Sequence, residues 1–374
     1  MRSADPPNRT VPYVNLAAQF EEERQEVLRC VDAVFARGDF IDGADIAALE
    51  SELAELCGVA YAVTLNSGTD ALILGMKALG IGPGDEVITP PNSFVASTAA
   101  IVQLGARPVF VDVQDDQNID PQRIEAAVTS RTKGIMPVHL TGRVCDMHPI
   151  MDIARRHGIA VIEDAAQAVG SRYVGKLSGS FGHIGCFSAH PLKNLNAAGD
   201  GGFLTTNDAR VAERVRHLRN HGLVDRNTVV EFSTVSRMDT LQAALLRMRV
   251  RRLPTVIARR RRNAAQYMER LERQHVFIPP SRDNEYNTFH TFVIQVERRD
   301  ELQQYLAKQG IGTAIHYPIP IHLQPAAKSL GHRQGDFPVT ERQAQRILTL
   351  PVNQFMTEAD LDYVAEAVNR FHRA

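Results

Sequence analysis

Between about residue 60 and residue 206, short β-branched runs alternate with helical patterns: "YAVTL" and "GTDALILGMKAL", "DEVITP" and "VASTAAIVQLG", "PVFVDV" and "PQRIEAAVTS", "GIMPVHL" and "HPIMDIARRHG", then "IAVIED". Strand, helix and strand in that rhythm close as parallel crossovers, so the pattern predicts an α/β fold around a mixed, mostly parallel sheet. Turn signals such as "IGPGDE" and "LGARP" fall between the elements, where a reversing chain needs glycine freedom and proline stiffness. Open sheets of this kind gather ligands at the carboxyl ends of their strands, which makes strand ends the place to look for chemistry.

After about residue 208 the texture changes. Two long helical stretches, 239–253 and 255–273, flank Pro254, which removes a helix donor and predicts a kink or break. The tail then reads as a strand in "NTFHTFVIQV", a helix in "DELQQYLAKQG", a strand in "IGTAIHY", and helices over 338–348 and 357–372. A chain of 374 residues accommodates both parts. The expectation is a large domain over residues 1–250, with an N-terminal helical region at 15–58, and a small C-terminal α/β domain over 251–374.

A hydrophobic fraction of 44% and a formal charge of −1 describe a soluble globular chain and argue against a nucleic-acid-seeking surface. The arginine-rich stretch "RMRVRRLPTVIARRRRN", 247–263, lacks aromatic interleaving and reads as a solvated helix face or a subunit contact. The four cysteines lie far apart with no CxxC and no metal-ligand spacing, which fits a reducing cytoplasm and predicts no metal site. The opening "MRSADPPNRT" is polar, and no run approaches the length of a membrane span, so neither secretion nor membrane insertion is expected.

Three stretches carry candidate chemistry. In "LNSGTDAL", 65–72, a strand runs into Ser67, Gly68 and Thr69 and then a helix. Small residues at a helix start leave N–H groups and hydroxyls for an anion, although a serine N-cap needs no ligand. In "IAVIEDAAQA", 159–168, a buried strand ends in Glu163 and Asp164. Alternation sends one carboxylate to each face, so one reaches the ligand edge, where it suits a protonated heterocyclic nitrogen; capping of the following helix is the plain alternative. In "GCFSAHPLKNLNAAGDGGF", 185–203, Lys193 follows Ser188 by five residues and precedes "GDGG". A lysine binds a carbonyl only when its amine is neutral, which requires burial or nearby positive charge; a solvated loop lysine is the alternative. Together the helix start with Ser188, Asp164 and Lys193 supply a phosphate cradle, a pyridinium partner and an aldehyde-binding amine, the parts of a pyridoxal phosphate site, with Phe94 available to a ring face. A dinucleotide-binding reading fails because "GTDALILG" supplies no GxGxxG, and Cys186, in an apolar run, reads as structural.

The ordered set "SGTDAL", "EDAAQA", "GCFSAHPLKNLNAAGDGGF", "SRMDTLQAALL" and "IGTAIHYPIPIHLQPA" closely resembles the DegT-type (DegT/DnrJ/EryC/StrS) nucleotide-sugar aminotransferases, pyridoxal phosphate enzymes of fold type I. The likeness runs from "VPYVNLAAQF" to "LPV" at 350–352. It implies an aspartate-aminotransferase-like fold and a homodimer with active sites near the subunit boundary. It also implies Lys193 as the residue that binds the cofactor and moves the proton, Asp164 as partner of the pyridinium nitrogen, and Gln167 beside the phenolic oxygen. Gly68, Thr69 and Ser188, with Ser67 beside them, match phosphate-binding positions, and Phe94 matches the stacking aromatic. Family members with histidine in place of the lysine are dehydratases, so Lys193 implies transamination.

The loop "IHYPIPIHLQPA" places His316, Tyr317 and His322 where the family covers its active site, as residues for sugar hydroxyls, and its wording is most like the members that act on 3-keto sugars. The implied reaction moves an amino group from L-glutamate, or glutamine, to a nucleotide-linked 3-keto-6-deoxyhexose; a 4-keto nucleotide sugar and an octulosonate-type keto-sugar are the alternatives. A pyridoxal-phosphate-binding regulator without turnover is the reading from another class. The chain departs from the family at two points: Val235 stands where "GYNSRMD" usually has the asparagine that reaches the partner's phosphate, and Thr141 stands where many relatives have tyrosine.

Overall fold

The computed structural model describes residues 9–373; the polar opening stretch 1–8, on which the expectation of no secretion rests, lies outside them. Two helices come first, α1 (Leu16–Arg37) and α2 (Ala44–Cys57). The predicted alternation follows: β1 (Tyr61–Leu65), α3 (Gly68–Ala78), β2 (Glu86–Thr89), α4 (Val95–Gln103), β3 (Arg107–Phe110), α5 (Pro121–Ile124), β4 (Thr132–Ile135), α6 (Met147–His157) and β5 (Ala160–Asp164). After a short hairpin, β6 (Arg172–Tyr173) and β7 (Lys176–Leu177), come β8 (Ile184–Ser188), β9 (Gly202–Thr206) and α7 (Ala209–Leu218).

The main sheet has seven strands in the order β1-β9-β8-β5-β4-β2-β3. Strands β3, β2, β4, β5 and β8 run parallel, while β9 pairs antiparallel with both β8 and β1. Side-chain alternation divides the core between the two faces. From β5, Ile162 packs with Leu72, Leu74 and Val215 of α3 and α7, whereas Val161 packs with Ile150 and Ile153 of α6. From β1, Ala62 turns toward Leu49 and Leu53 of α2 while Val63 and Leu65 join the α3 face.

A single helix, α8 (Thr240–Arg270), replaces the two expected around Pro254. An interior proline costs about 3 kcal/mol by deleting one hydrogen bond and crowding the preceding turn. Here Leu253 and Ile257, on either side of it, are buried in the α2 core, and Arg247, Arg249, Arg252 and Arg259 pair with carboxylates of α1 and α2. Those contacts keep the helix continuous through the proline. The helix also runs across residues 250–251: its first half serves the α2 core, while Ala264 and Tyr267 of its second half enter a separate C-terminal core.

That C-terminal core is built by α9 (Arg299–Lys308), α11 (Glu358–Arg373) and an antiparallel strand pair. A short strand, β10 (Glu285–Tyr286), extends the β6–β7 hairpin; the pair itself is β11 (Phe292–Gln295) with β12 (Ile347–Leu350). Tyr267, fully buried, donates its hydroxyl hydrogen bond to Pro351 O at 2.9 Å. The strand expected over "IGTAIHY" is reduced to isolated bridges at Ile311 and Ala314, because β12 comes from the end of the segment read as a helix, after α10 (Pro338–Arg346). Among the described residues no helix is long and apolar enough to cross a membrane, and no cluster of side chains has metal-ligand geometry.

Candidate active site

A cavity of about 360 Å³ opens at the carboxyl ends of β1, β5 and β8. Ser67, Gly68, Thr69, Phe94, Asp164, Gln167, Ser188, Lys193, His316 and Tyr317 all line it.

The anion cradle is made by close approach. Ser67 caps α3, its Oγ accepting from Asp70 N at 3.1 Å, and the helix leaves the N–H groups of Gly68 and Thr69 without intrahelical acceptors. A Cβ on Gly68 would lie 2.7 Å from Ser188 Cβ, and one on Gly202 would lie 2.3 Å from the Ser67 carbonyl carbon. Only glycines let the helix start, the end of β8 and the start of β9 meet, and that meeting brings Ser188 against Gly68 at the start of α3.

The two carboxylates of β5 separate as alternation requires. Glu163 is fully buried away from the cavity, where it accepts from Gly179 N, Phe181 N and Gly182 N at 2.8, 2.7 and 2.7 Å and from the His139 ring at 2.9 Å. Asp164 faces the cavity. Its Oδ2 accepts from Ser97 Oγ at 2.7 Å and its Oδ1 from Ala166 N at 3.2 Å. Burial pushes the Asp164 carboxyl above its ordinary range, against the pull of those two donors and of Lys193. A cation set against Asp164 reverses that balance and keeps it ionised.

Lys193 projects from the 189–201 loop, whose backbone turns through Lys193 N to His190 O at 2.8 Å. Desolvation brings its ammonium down to about 8, with Asp164 opposing the shift. The loop is pinned from outside by residues the sequence did not single out: Asn196 exchanges hydrogen bonds with Gln19 of α1 at 3.0 and 3.1 Å, and Asn194 Nδ2 donates to Thr288 O at 3.2 Å.

Gln167 is held from both ends, accepting from Thr141 N at 2.8 Å and donating to the Tyr317 hydroxyl at 3.4 Å. The Phe94 ring lies 5.7 Å from that of Tyr317, the two aromatics flanking the cavity. His316 bonds Thr349 Oγ1 at 2.9 Å, and burial next to Lys193 lowers it to about 4, so it is a neutral imidazole at physiological pH.

His322 does not join them. After Pro320 the chain turns into a short helical segment whose Ile321 packs on Phe110 and Phe337. That turn carries His322 under α10, where it is 2% exposed and bonds Glu341 at 3.0 Å. It is a structural histidine, which corrects its assignment to the substrate. Val235 is exposed and forms a bridge with Asn220, and Arg237 Nη1 is occupied by Asn220 Oδ1 at 3.1 Å. Cys186 is buried and its Sγ donates to Ala71 O, consistent with a structural thiol.

Tyr13, Arg260, His290 and Asn353 are among the lining residues that the sequence did not single out. Arg260 belongs to the stretch read as a solvated face, yet is 6% exposed. The helical period shows which arginines share a side of α8, but not that the C-terminal core covers that side.

An amine held near neutrality suits an aldehyde, a strand-end carboxylate suits a basic ring nitrogen, and a helix start with free N–H groups suits a phosphate. Pyridoxal phosphate combines these three demands, and the residues present fit it. With the sheet order and the C-terminal unit, they define a fold-type-I pyridoxal-phosphate-dependent aminotransferase. The chain belongs to the DegT/DnrJ/EryC1/StrS aminotransferase family, whose model matches residues 21–369. It is 43% identical to a UDP-N-acetyl-3-dehydro-alpha-D-glucosamine 3-aminotransferase of Acidithiobacillus ferrooxidans, over 97% of this chain and 98% of that one. It is 41% identical to a pleiotropic regulatory protein of Geobacillus stearothermophilus, over 97% and 99%. The crystal structure of DesV from S. venezuelae superposes with a TM-score of 0.95 at 38% identity, covering 98% of this chain and 99% of that one.

Proposed function

We propose that this aminotransferase moves an amino group from L-glutamate, or glutamine, to a nucleotide-linked keto-sugar, and that the ketone accepted is at C3 of a 6-deoxyhexose. The observation that carries the reading is Lys193, set in the cavity with its ammonium brought down to about 8, between Asp164 and the start of α3. The 3-aminotransferase relative and the loop carrying His316 and Tyr317 favour C3; a 4-keto nucleotide sugar and an octulosonate-type ketone are the alternatives.

Pyridoxal phosphate, when bound, supplies an electron sink for the carbon that loses its proton. The chain supplies the rest. Lys193 would hold the cofactor through its amine, and as a free amine whose proton affinity matches neutral pH it would take and return the proton. Asp164 orients and charges the ring nitrogen, Ser188 and the N–H groups of Gly68 and Thr69 grip the phosphate, and Phe94 and Tyr317 shield the cavity from water. His316, neutral, is available to a sugar hydroxyl.

Large apolar side chains left exposed on and after α1, Phe20, Leu28, Phe35, Phe40 and Ile41, support a homodimer, and four free cysteines suit the cytoplasm. The decisive measurement is the absorbance of cofactor-loaded protein on adding glutamate or glutamine, followed by a screen of 3-keto and 4-keto nucleotide sugars for its return. Loss of the pyridoxal band with release of the 2-oxoacid, and recovery best with a 3-keto sugar, is the expected result. A Lys193→Ala protein that completed the cycle at the normal rate would overturn it.

A further inference from the structure

The loop that carries Lys193, residues 189–201, has no regular secondary structure. Behind it lies a closed ring of hydrogen-bonded side chains. Asn196 Nδ2 donates to Pro191 O at 2.8 Å and to Gln19 Oε1 at 3.1 Å, and Asn196 Oδ1 accepts from Gln19 Nε2 at 3.0 Å. Gln19 Nε2 also donates to Glu23 Oε1 at 3.2 Å, and Glu23 Oε2 pairs with Nε and Nη2 of Arg249, each at 2.9 Å. Arg249 Nη1 then returns to Asn196 O at 2.8 Å and closes the ring. Gln19, Glu23 and Asn196 are all buried.

A buried ion pair roughly breaks even against apolar side chains of the same volume, so stability alone is a poor reason for this ring. Its consequence is geometric. Pro191 stands two residues before Lys193 and Asn196 three after, and the ring holds a backbone carbonyl at each. Gln19 and Glu23 belong to α1 and Arg249 to α8, so the segment between the two carbonyls takes its place from rigid helices rather than from the torsions of a loop. Across the cavity the titratable and charged groups around the amine are Asp164, His190, Asp200, Arg260, His290 and His316. Against that set, the seat of the loop decides how deep the amine sits.

We propose that Gln19 and Asn196, backed by the Glu23–Arg249 pair, are positioning residues for Lys193: they seat its loop so that the amine stays inside the cavity, where it meets the aldehyde of the cofactor. This rests on Lys193 as the cofactor lysine, and none of the four residues lines the cavity. Freed from the ring, the amine gains access to water. The desolvation that brings it down to about 8 then relaxes, and the ammonium is favoured again.

The test mixes cofactor-free protein with pyridoxal phosphate over a range from about pH 6.5 to about pH 10.5. Stopped-flow absorbance gives the rate of loading, and borohydride fixation with peptide mass analysis places it on Lys193. Only the neutral amine attacks an aldehyde, so the rate follows deprotonation, with a wild-type midpoint at about 8. In Asn196→Ala the midpoint moves up by about one pH unit, and loading at about pH 7.5 slows about tenfold. Asn369→Ala is the control. It removes an asparagine as buried as Asn196, whose amide bonds Arg270 O at 2.8 Å and Glu272 N at 3.1 Å, and it leaves the midpoint in place. Where Asn196→Ala does not fold, Gln19→Met carries the test: it keeps the length of the side chain, loses the hydrogen bonds to Asn196, and moves the midpoint in the same direction. An unmoved midpoint in the folded variant overturns the proposal, whatever the rate does. An equal shift in Asn369→Ala also overturns it, because it marks a general loosening of the fold. Wild-type protein that does not load pyridoxal phosphate on Lys193 overturns the functional reading itself, a result distinct from any variant outcome.

Discussion

Ser97 of α4 donates a 2.7 Å hydrogen bond to Oδ2 of Asp164, and both side chains are buried. The hydroxyl fixes the carboxylate's direction and favours its ionised form against the burial that disfavours it. Ser97→Ala removes both effects. A hydrogen bond to a charged group contributes about 1.5–3 kcal/mol, so cofactor affinity falls by at least roughly tenfold. Equilibrium dialysis of pyridoxal phosphate reads this directly, and an unchanged affinity would show that Asp164 is oriented without Ser97.

Lys193 sets a pH dependence with a definite sign. Its folded value of about 8 lies below the ordinary 10.5, so across that window the unfolded chain binds a proton that the folded chain lacks. Stability of the cofactor-free protein therefore rises with pH between those values, and the charged lysine is a burden below about 8. Lys193→Met relieves it, stabilising the cofactor-free protein by about 1–3 kcal/mol at pH 7, with the advantage shrinking as pH rises toward 10.5. Denaturant titrations at several pH values measure it; a pH-independent difference between the two proteins contradicts the assignment.

Much of the site was legible because its parts obey local rules. The β5 alternation separated Glu163 from Asp164, the Ser67 cap announced a helix start, and the small residues around Lys193 marked an approach. What stayed hidden depends on residues far apart in the chain. Pro254 looked like a break because neither Leu253 nor Ile257 reveals its partners on α2, and Arg260 looked solvated because the cover over it comes from the residues 289–290 carbonyls. His322 shares a short proline-stiffened segment with His316 and Tyr317, but a turn at Ile321 takes it under α10. A sequence shows which residues are near in the chain and leaves open which side of a turn they reach.

Gly202 tests the cradle. Its absent Cβ would sit 2.3 Å from the Ser67 carbonyl carbon and 2.5 Å from Gly68 N, backbone atoms that cannot swing aside. Gly202→Ala should cost about 2–3 kcal/mol and weaken phosphate binding as α3 is pushed off the sheet. Gly82 is the control, since a Cβ there meets nothing within 4 Å, and Gly82→Ala should be neutral or slightly stabilising. Urea midpoints for the two variants, with pyridoxal phosphate affinity for the first, give the comparison; equal midpoints contradict the close approach.

Glu163 is the structural counterpart of Asp164. One of its oxygens accepts from Phe181 N and Gly182 N, the other from Gly179 N and His139 Nε2. Glu163→Gln keeps the shape but turns one oxygen into an NH2 group, and either orientation of the amide sets that group against existing donors. The histidine cannot relieve the conflict by changing tautomer, because its Nδ1 already accepts from Cys145 N at 3.2 Å. The expected loss is about 2–4 kcal/mol of folding stability. Since the Glu163 side chain points away from the cavity, loading of Lys193 at saturating pyridoxal phosphate should remain close to wild type. Thermal melts and borohydride-fixed loading separate the two effects: lost loading at a retained melting temperature would instead place Glu163 in the binding site.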